Sequence, residues 1–253
     1  EVLHYHQAIA VVVAETFEEA RHAANLLAIT YERDDSATFT LVDTPEARDA
    51  HEAEPAQAVG DFDAAFASAA VTLDETYTTP AESHAMMEPH ATIAAWEGDT
   101  LRLWTSNQMV NWGRGSMAKA FGIPPENVHL ESPFLGGGFG TKLFVRSDAV
   151  MAALAARAAG RPVKLALPRP FIANNTTHRG ETIQRIRLGA DASGRLVALG
   201  HHNATNALTA AGGENATLPT VAFYAAANRF VVNAPARMNL PNSNAMRAPG
   251  ETA

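Results

Sequence analysis

Three consecutive glycines in Leu135-Gly136-Gly137-Gly138-Phe139-Gly140-Thr141-Lys142 set the strongest local constraint on how this chain can fold. Glycine takes φ > 0 without a Cβ penalty and lets backbone approach a ligand closely, at an entropic cost that an ordinary turn does not incur three times over. The run lies between a strand-like segment, Val128-His129-Leu130, and an alanine-rich segment that reads as a helix from Ser147 or Asp148 through Arg157, closed by Gly160. A glycine loop at a strand-to-helix junction is a candidate cradle for an anionic ligand. Phe139 stands where a simple hairpin would place a polar residue, and reads as buried.

The flanking sequence supplies a mixed scaffold. Residues 7–14 are β-branched and apolar, Thr16-Phe17-Glu18-Glu19 is a capping box, Ala20, Ala23, Ala24 and Leu27 recur at helical spacing, and Ile29-Thr30-Tyr31 reads as a returning strand. This predicts a small β-α-β unit. Residues 44–63 are acidic and broken by Pro45, Pro55 and Gly60, which suits a linker, with a domain boundary near residue 55. A short helix over 64–70, a strand over 71–78, a hairpin of 91–96 with 101–105, a helix over 112–121 and a strand over 163–167 follow. A second hairpin pairs 183–191 with 196–200, residues 205–220 read as loop, and Phe230-Val231-Val232 is a further strand.

Composition narrows the function classes. With 253 residues, 47% of them hydrophobic and 18% charged, the chain is globular, while a net charge of −8 gives no general attraction to nucleic acid. There is no cysteine, so the chain holds no disulfide, no iron–sulfur cluster and no thiolate nucleophile of its own. No apolar run of about 18 residues that could span a membrane occurs, and the start lacks the pattern of a secretion signal. Both ends are abrupt, and the chain reads as a fragment.

Several loop chemistries fail on register. A phosphate-binding P-loop needs Gly-Lys-Ser/Thr, whereas Gly140 is followed by Thr141 and then Lys142. A dinucleotide fingerprint needs glycine where Thr141 stands, with an acidic residue about 20 positions on, in a region that here is alanine-rich. The ten histidines include His84 and His90 flanking Glu88, but no His-Glu-x-x-His. No Gly-x-Ser-x-Gly elbow occurs.

Five motifs in order carry more than any one of them. These are Met87-Glu88-Pro89-His90, Asn107-Gln108, Gly136 through Lys142, His178-Arg179-Gly180-Glu181-Thr182, and Met246-Arg247-Ala248-Pro249-Gly250-Glu251. In order and approximate spacing they resemble the large, molybdopterin-binding subunit of the xanthine dehydrogenase/aldehyde oxidase family, most closely its bacterial aldehyde oxidoreductases. The resemblance implies an α+β fold: a partial α/β hammerhead domain over 1–55, followed over 56–253 by the first half of a molybdopterin-binding domain with mixed sheets and helices.

It also implies roles. Gly137, Gly138, Phe139 and Gly140 would line the pterin, Gln108 would donate a hydrogen bond to an oxo or sulfido ligand of molybdenum, and Arg247 would sit beside the cofactor and balance its negative charge. Molybdenum would be held through the pterin, with no direct protein ligand. The implied reaction is oxidative hydroxylation of an aldehyde or aromatic heterocycle by attack of a Mo-bound hydroxyl, with hydride passing to a sulfido ligand. The cofactor would be the cytosine dinucleotide form, and electrons would leave to iron–sulfur and FAD centres on partner chains. The catalytic base, a glutamate, is expected beyond Ala253 with the remaining part of the large subunit, and Glu251 does not match it. Leu143 stands where purine oxidisers carry a glutamate, which points to aldehydes or aromatic substrates instead. A bacterial cytoplasm and periplasm both stay open. The alternative from another class is a cofactor-free structural or interaction remnant of the same fold.

Overall fold

The structure, a computed structural model, describes residues 1–48, 54–208 and 213–252. Along the chain come α1 (Phe17–Asn25), a 3₁₀ turn (Leu41–Asp43), α2 (Pro45–Arg48), β1 (Gln57–Val59), α3 (Phe62–Ala67), β2 (Val71–Thr79), β3 (Ala91–Glu97), β4 (Thr100–Thr105) and α4 (Val110–Phe121). A second 3₁₀ turn (Pro125–Asn127), β5 (Val128–Glu131), α5 (Ser147–Ala159), β6 (Val163–Ala166), α6 (Arg169–Asn175), β7 (Thr182–Ala190), β8 (Leu196–Ala207), α7 (Leu218–Phe223) and β9 (Asn228–Arg237) complete it. The chain divides into two compact, interleaved units, one formed by Glu1–Asp35 with His84–Thr176 and the other by Ser36–Ser83 with Thr177–Ala253.

The first unit is built on a four-stranded sheet ordered β5-β4-β3-β6, in which β3 runs antiparallel to β4 and β6 while β4 and β5 are parallel. Alternation puts Leu101 and Leu103 of β4 and Val128 and Leu130 of β5 on one face, where Met117 and Ala118 of α4 and Ala149, Ala152, Ala153 and Ala156 of α5 cover them. The alanine face brings α5 close enough for Trp96 Nε1 to donate to the Ala153 carbonyl at 2.9 Å. Gly122 (φ 64°) and Gly160 (φ 62°) end α4 and α5 in the left-handed region that glycine enters at least cost. The start of α5 differs from expectation. Arg146 is the N-cap and makes no side-chain cap bond, because Asp148 turns inward to accept from Thr92 Oγ1 at 2.6 Å.

The predicted β-α-β unit near the start forms only its helix. The Thr16–Glu19 capping box is made in both directions, but residues 7–14 and 29–31 join no ladder among the described residues, and Ile9, Val13, Ile29 and Tyr31 are exposed. A β-branched run becomes a strand only where a neighbouring edge takes its hydrogen bonds. The helix α6 went unrecognised; Pro170 sits in its first turn, where the missing N–H costs nothing.

The second unit carries a five-stranded sheet ordered β1-β9-β8-β7-β2, parallel between β8 and β9 and otherwise antiparallel. The stretch expected to be linker contains α2 and β1, and residues 49–53 of it lie outside the described residues. Strand β8 runs on to Ala207, well past Gly200, where its polar residues suggested an end, and the remaining expected loop holds α7, with residues 209–212 outside the described residues. Central position explains the burial of polar His201, Asn203, Thr205 and Asn206: their backbones pair on both sides and their side chains find partners.

His201 is the clearest case. Gln184 Nε2 donates to Thr182 Oγ1, so its Oε1 faces His201 and accepts from Nε2–H at 3.1 Å, leaving Nδ1 to accept from Thr220 Oγ1 at 2.8 Å. Burial, aided by neighbouring His202, pushes this imidazole from 6.5 down to about 4. Between those values the unfolded chain binds a proton that the folded chain refuses. The contribution of His201 is therefore fully present above about pH 6.5 and is lost as pH drops toward 4, by on the order of 3 kcal/mol. His201→Gln is expected to flatten the pH dependence of urea unfolding across this window; an unchanged slope would show that His201 protonates freely in the fold.

Candidate functional site

The glycine loop runs from the end of β5 to the start of α5 and takes positive φ at Gly136 (60°), Gly137 (82°), Phe139 (53°) and Gly140 (108°). A phenylalanine in the left-handed region is strained by about 1–3 kcal/mol, and such backbone persists only where its surroundings over-determine it. The expected buried ring is not found: Phe139 is 58% exposed, presented by the loop instead of packed beneath it. The backbone N–H groups of Gly136, Gly137, Gly138 and Phe139 meet no protein acceptor among the described residues.

Gln108 closes the far end of the loop. Its Oε1 accepts from the N–H of Gly140 at 3.1 Å and of Lys142 at 3.2 Å, and its own N–H donates to the Lys142 carbonyl at 2.7 Å. Two converging N–H donors require the amide oxygen to face them, so the amide NH₂ is turned away from those donors and meets no protein acceptor among the described residues. Gly138 makes this approach possible, because a Cβ there would lie 2.8 Å from Gln108 Cδ.

Lys142 closes the near end. Its side chain is 0% exposed, and its ammonium donates to the Leu135 carbonyl at 2.5 Å and to Glu88 Oε2 at 2.8 Å. Glu88 Oε2 also accepts from Ser106 Oγ at 3.1 Å, and Glu88 N–H bonds the Gly136 carbonyl at 3.3 Å. The Lys142 hydrogen bond holds the Glu88 carboxyl below the usual carboxylate range. Gly136 lies so close to Glu88 that a Cβ would collide with it. Arg169 fixes the preceding backbone by donating to the carbonyls of Met86 at 2.6 Å and Met87 at 2.7 Å. His84 and His90 are buried, and burial pushes His90 down to about 4. Among the described residues no three His, Cys, Asp or Glu side chains group as a metal site. Leu143 is half-buried at the loop exit, its N–H on the Gly140 carbonyl at 3.1 Å.

Arg247 belongs to the second unit and is exposed. Beneath it Arg179 donates to the carbonyls of Arg247 at 2.6 Å and Ala248 at 3.1 Å, and to Glu214 Oε2 at 3.2 Å. The loop glycines and Gln108 thus come together in one unit. Lys142, Glu88, Arg179 and Glu214 were given no role from sequence. Lys142 was noticed as a misplaced P-loop lysine and as the end of the loop motif, and Arg179 only as part of a motif, because a strut reveals itself through partners distant in the chain.

The model of the molybdopterin cofactor-binding domain matches residues 45–253. The aldehyde oxidoreductase molybdenum-binding subunit PaoC of Escherichia coli K12 is 54% identical over 249 residues, 98% of this chain and 34% of that protein. The 6-hydroxypseudooxynicotine dehydrogenase complex subunit gamma of Paenarthrobacter nicotinovorans is 32% identical over 207 residues, 79% of this chain and 26% of that one. The chain therefore spans between about a quarter and a third of these relatives. Among solved structures, the aldehyde oxidoreductase from Desulfovibrio gigas superposes with a TM-score of 0.78 at 23% identity, over 94% of this chain and 28% of its own. Quinoline 2-oxidoreductase from Pseudomonas putida 86 gives 0.76 at 25% identity, over 94% and 32%.

Gly138→Ala is expected to push Gln108 off the loop and, by the loss of two hydrogen bonds, to cost about 1–3 kcal/mol. Hydrogen exchange at the Gly140 and Lys142 amides should rise in this variant; unchanged protection would show that Gln108 does not hold the loop.

Proposed function

The chain belongs to the molybdopterin cofactor-binding family of aldehyde oxidase and xanthine dehydrogenase large subunits, and on that premise we propose that its glycine loop and Gln108 form one wall of the cofactor site of an aldehyde-oxidising molybdenum enzyme. The observation that carries this reading is the orientation of Gln108: its oxygen is tied down by two loop amides and its NH₂ is free to donate.

The residues present fit an anionic, electron-rich group. Four successive loop N–H groups are without protein acceptors among the described residues, and Glu88, a carboxylate packed against the loop, is neutralised by Lys142. When bound, the molybdenum cofactor supplies the oxygen transfer and the two-electron acceptance that no side chain of this sequence can provide. The amides of Gly137, Gly138 and Phe139 would donate to it and the exposed Phe139 ring would help exclude water, while the amide of Gly140 anchors Gln108. Gln108 offers a neutral donor to an anionic acceptor on the cofactor. A glutamate in its place would still accept from the two loop amides, but would turn a second oxygen toward the same anion. In the second unit, exposed Arg247 would offer positive charge to an anionic cofactor.

The finer points of the reading follow from the residues and the relatives. Leu143 offers a purine no hydrogen bond, which favours an aldehyde or an aromatic heterocycle, in keeping with the aldehyde oxidoreductase name of the PaoC relative. The chain has no cysteine, so iron–sulfur clusters would be on partner chains, with FAD on another. The cofactor would be the cytosine dinucleotide form. The base glutamate comes from a segment outside these 253 residues. Residues 1–55 would belong to a hammerhead domain and 56–253 to the molybdopterin-binding domain.

In the full-length subunit assembled with its partners, Gln108→Ala and Gln108→Glu are expected to retain molybdenum while kcat falls by on the order of 10²-fold, the usual effect of removing one well-placed donor. Undiminished kcat would refute the role of Gln108. A matured complex free of both molybdenum and releasable cytosine nucleotide would instead favour a cofactor-free remnant of the fold.

A further inference from the structure

Arg247 stands on strained backbone in which the Glu251 N–H to Ala248 carbonyl bond, at 3.3 Å, closes a turn only after Arg247. Within six residues the segment enters the left-handed region at Ala245 (φ 60°), Ala248 (φ 55°) and Gly250 (φ 78°), and two of these are alanines. Each left-handed alanine costs about 1–2 kcal/mol, so other groups must impose the shape.

We propose that Arg179, neutralised by Glu214, is the positioning residue that imposes it and so aims Arg247 and the neighbouring Ala248 N–H outward. The proposal rests on the reading of Arg247 as a partner of the anionic cofactor.

Arg179 is itself fixed before it reaches the segment. Its backbone exchanges two hydrogen bonds with Glu82, at 2.9 and 3.1 Å, and the adjacent Gly180 is pressed so tightly on the sheet that a Cβ would lie 2.6 Å from Thr205 Oγ1 and 2.7 Å from Ser243 Cβ. From this base the guanidinium bonds the Arg247 carbonyl at 2.6 Å, the Ala248 carbonyl at 3.1 Å and Glu214 at 3.2 Å. A planar fork of N–H groups reaches three oxygens at once, which a lysine ammonium on a flexible stem does not reproduce. The peptide bonds are trans. Drawing the Arg247 carbonyl inward therefore turns the Ala248 N–H the opposite way, where it meets no protein acceptor among the described residues. Pro249 follows and has no N–H to compete.

Charge placement points the same way. The Glu214 side chain is 0% exposed and that of Arg179 7%, so their charges cancel below the surface. Glu82, whose carboxylate lies 3.9 Å from Arg179 Nε, is half-exposed on the other side of the guanidinium, so the positive charge presented by the 245–250 segment itself is that of exposed Arg247.

The test uses the full-length subunit in its assembled complex and compares Arg179→Lys with the double variant Arg179→Met/Glu214→Met, which removes both buried charges at similar volume. Three quantities are read: Tm, hydrogen exchange across residues 245–252, and molybdenum per subunit. The double variant is expected to regain a Tm near that of the native protein, yet exchange across 245–252 should be at least 10-fold faster in both variants and molybdenum content lower. Native exchange in Arg179→Lys, or recovery of both protection and molybdenum in the double variant, would overturn the proposal and leave the pair a structural ion pair. Failure of the Arg247 reading shows separately: Arg247→Ala with full molybdenum content would sink that reading, while the exchange measurement still decides whether Arg179 holds the segment.

Discussion

The first unit's site depends on one buried ammonium. A lysine enters a protein interior only if its charge is met and its protons are used, since an unpaired buried charge costs several kcal/mol. Lys142 satisfies both conditions with the same two contacts, Glu88 and the Leu135 carbonyl. Those contacts join the beginning of the glycine loop to its end. Because the Lys142 backbone is also bonded twice to Gln108, the side chain that closes the loop and the amide that faces outward are held by one residue. The left-handed φ of Phe139 is the strained angle that this closure must hold, since glycines take positive φ without a Cβ penalty.

The glycines then have separate reasons to be glycine. Gly136 gives way to Glu88, Gly138 gives way to Gln108, and Gly137 and Gly140 adopt backbone angles that other residues avoid. Flexibility is the wrong description of such a run. Each glycine permits a specific close approach or backbone turn, and the result is a rigid row of N–H groups with no protein acceptor. The Arg247 segment of the second unit works in the same manner, with carbonyls pinned inward and its charge held outward.

Much of this was legible in the sequence wherever the signal is local. The hairpin of β3 and β4, the helices α4 and α5 with their glycine stops, and the loop at the junction follow from periodicity and turn chemistry. The family was legible because five short motifs kept their order. What stayed hidden depends on partners distant in the chain. Strand β8 was read as ending at Gly200 and looked like loop from Thr205 on, yet its polar second half lies buried between β7 and β9. Residues 7–14 look like a strand but have no described ladder partner. Lys142, Glu88, Arg179 and Glu214 act through contacts across tens of residues, and Phe139 looked buried because apolarity alone does not reveal which way a strained loop presents a ring.

The central claim is that the Gln108 amide NH₂ points at the molybdenum cofactor. Its most direct test is pulsed electron paramagnetic resonance of the paramagnetic molybdenum centre in the complete enzyme, prepared with ¹⁵N-labelled glutamine side chains. The account predicts a weak ¹⁵N coupling that disappears in Gln108→Met while the molybdenum signal remains. A native spectrum without that coupling, or one in which it survives the substitution, would contradict it.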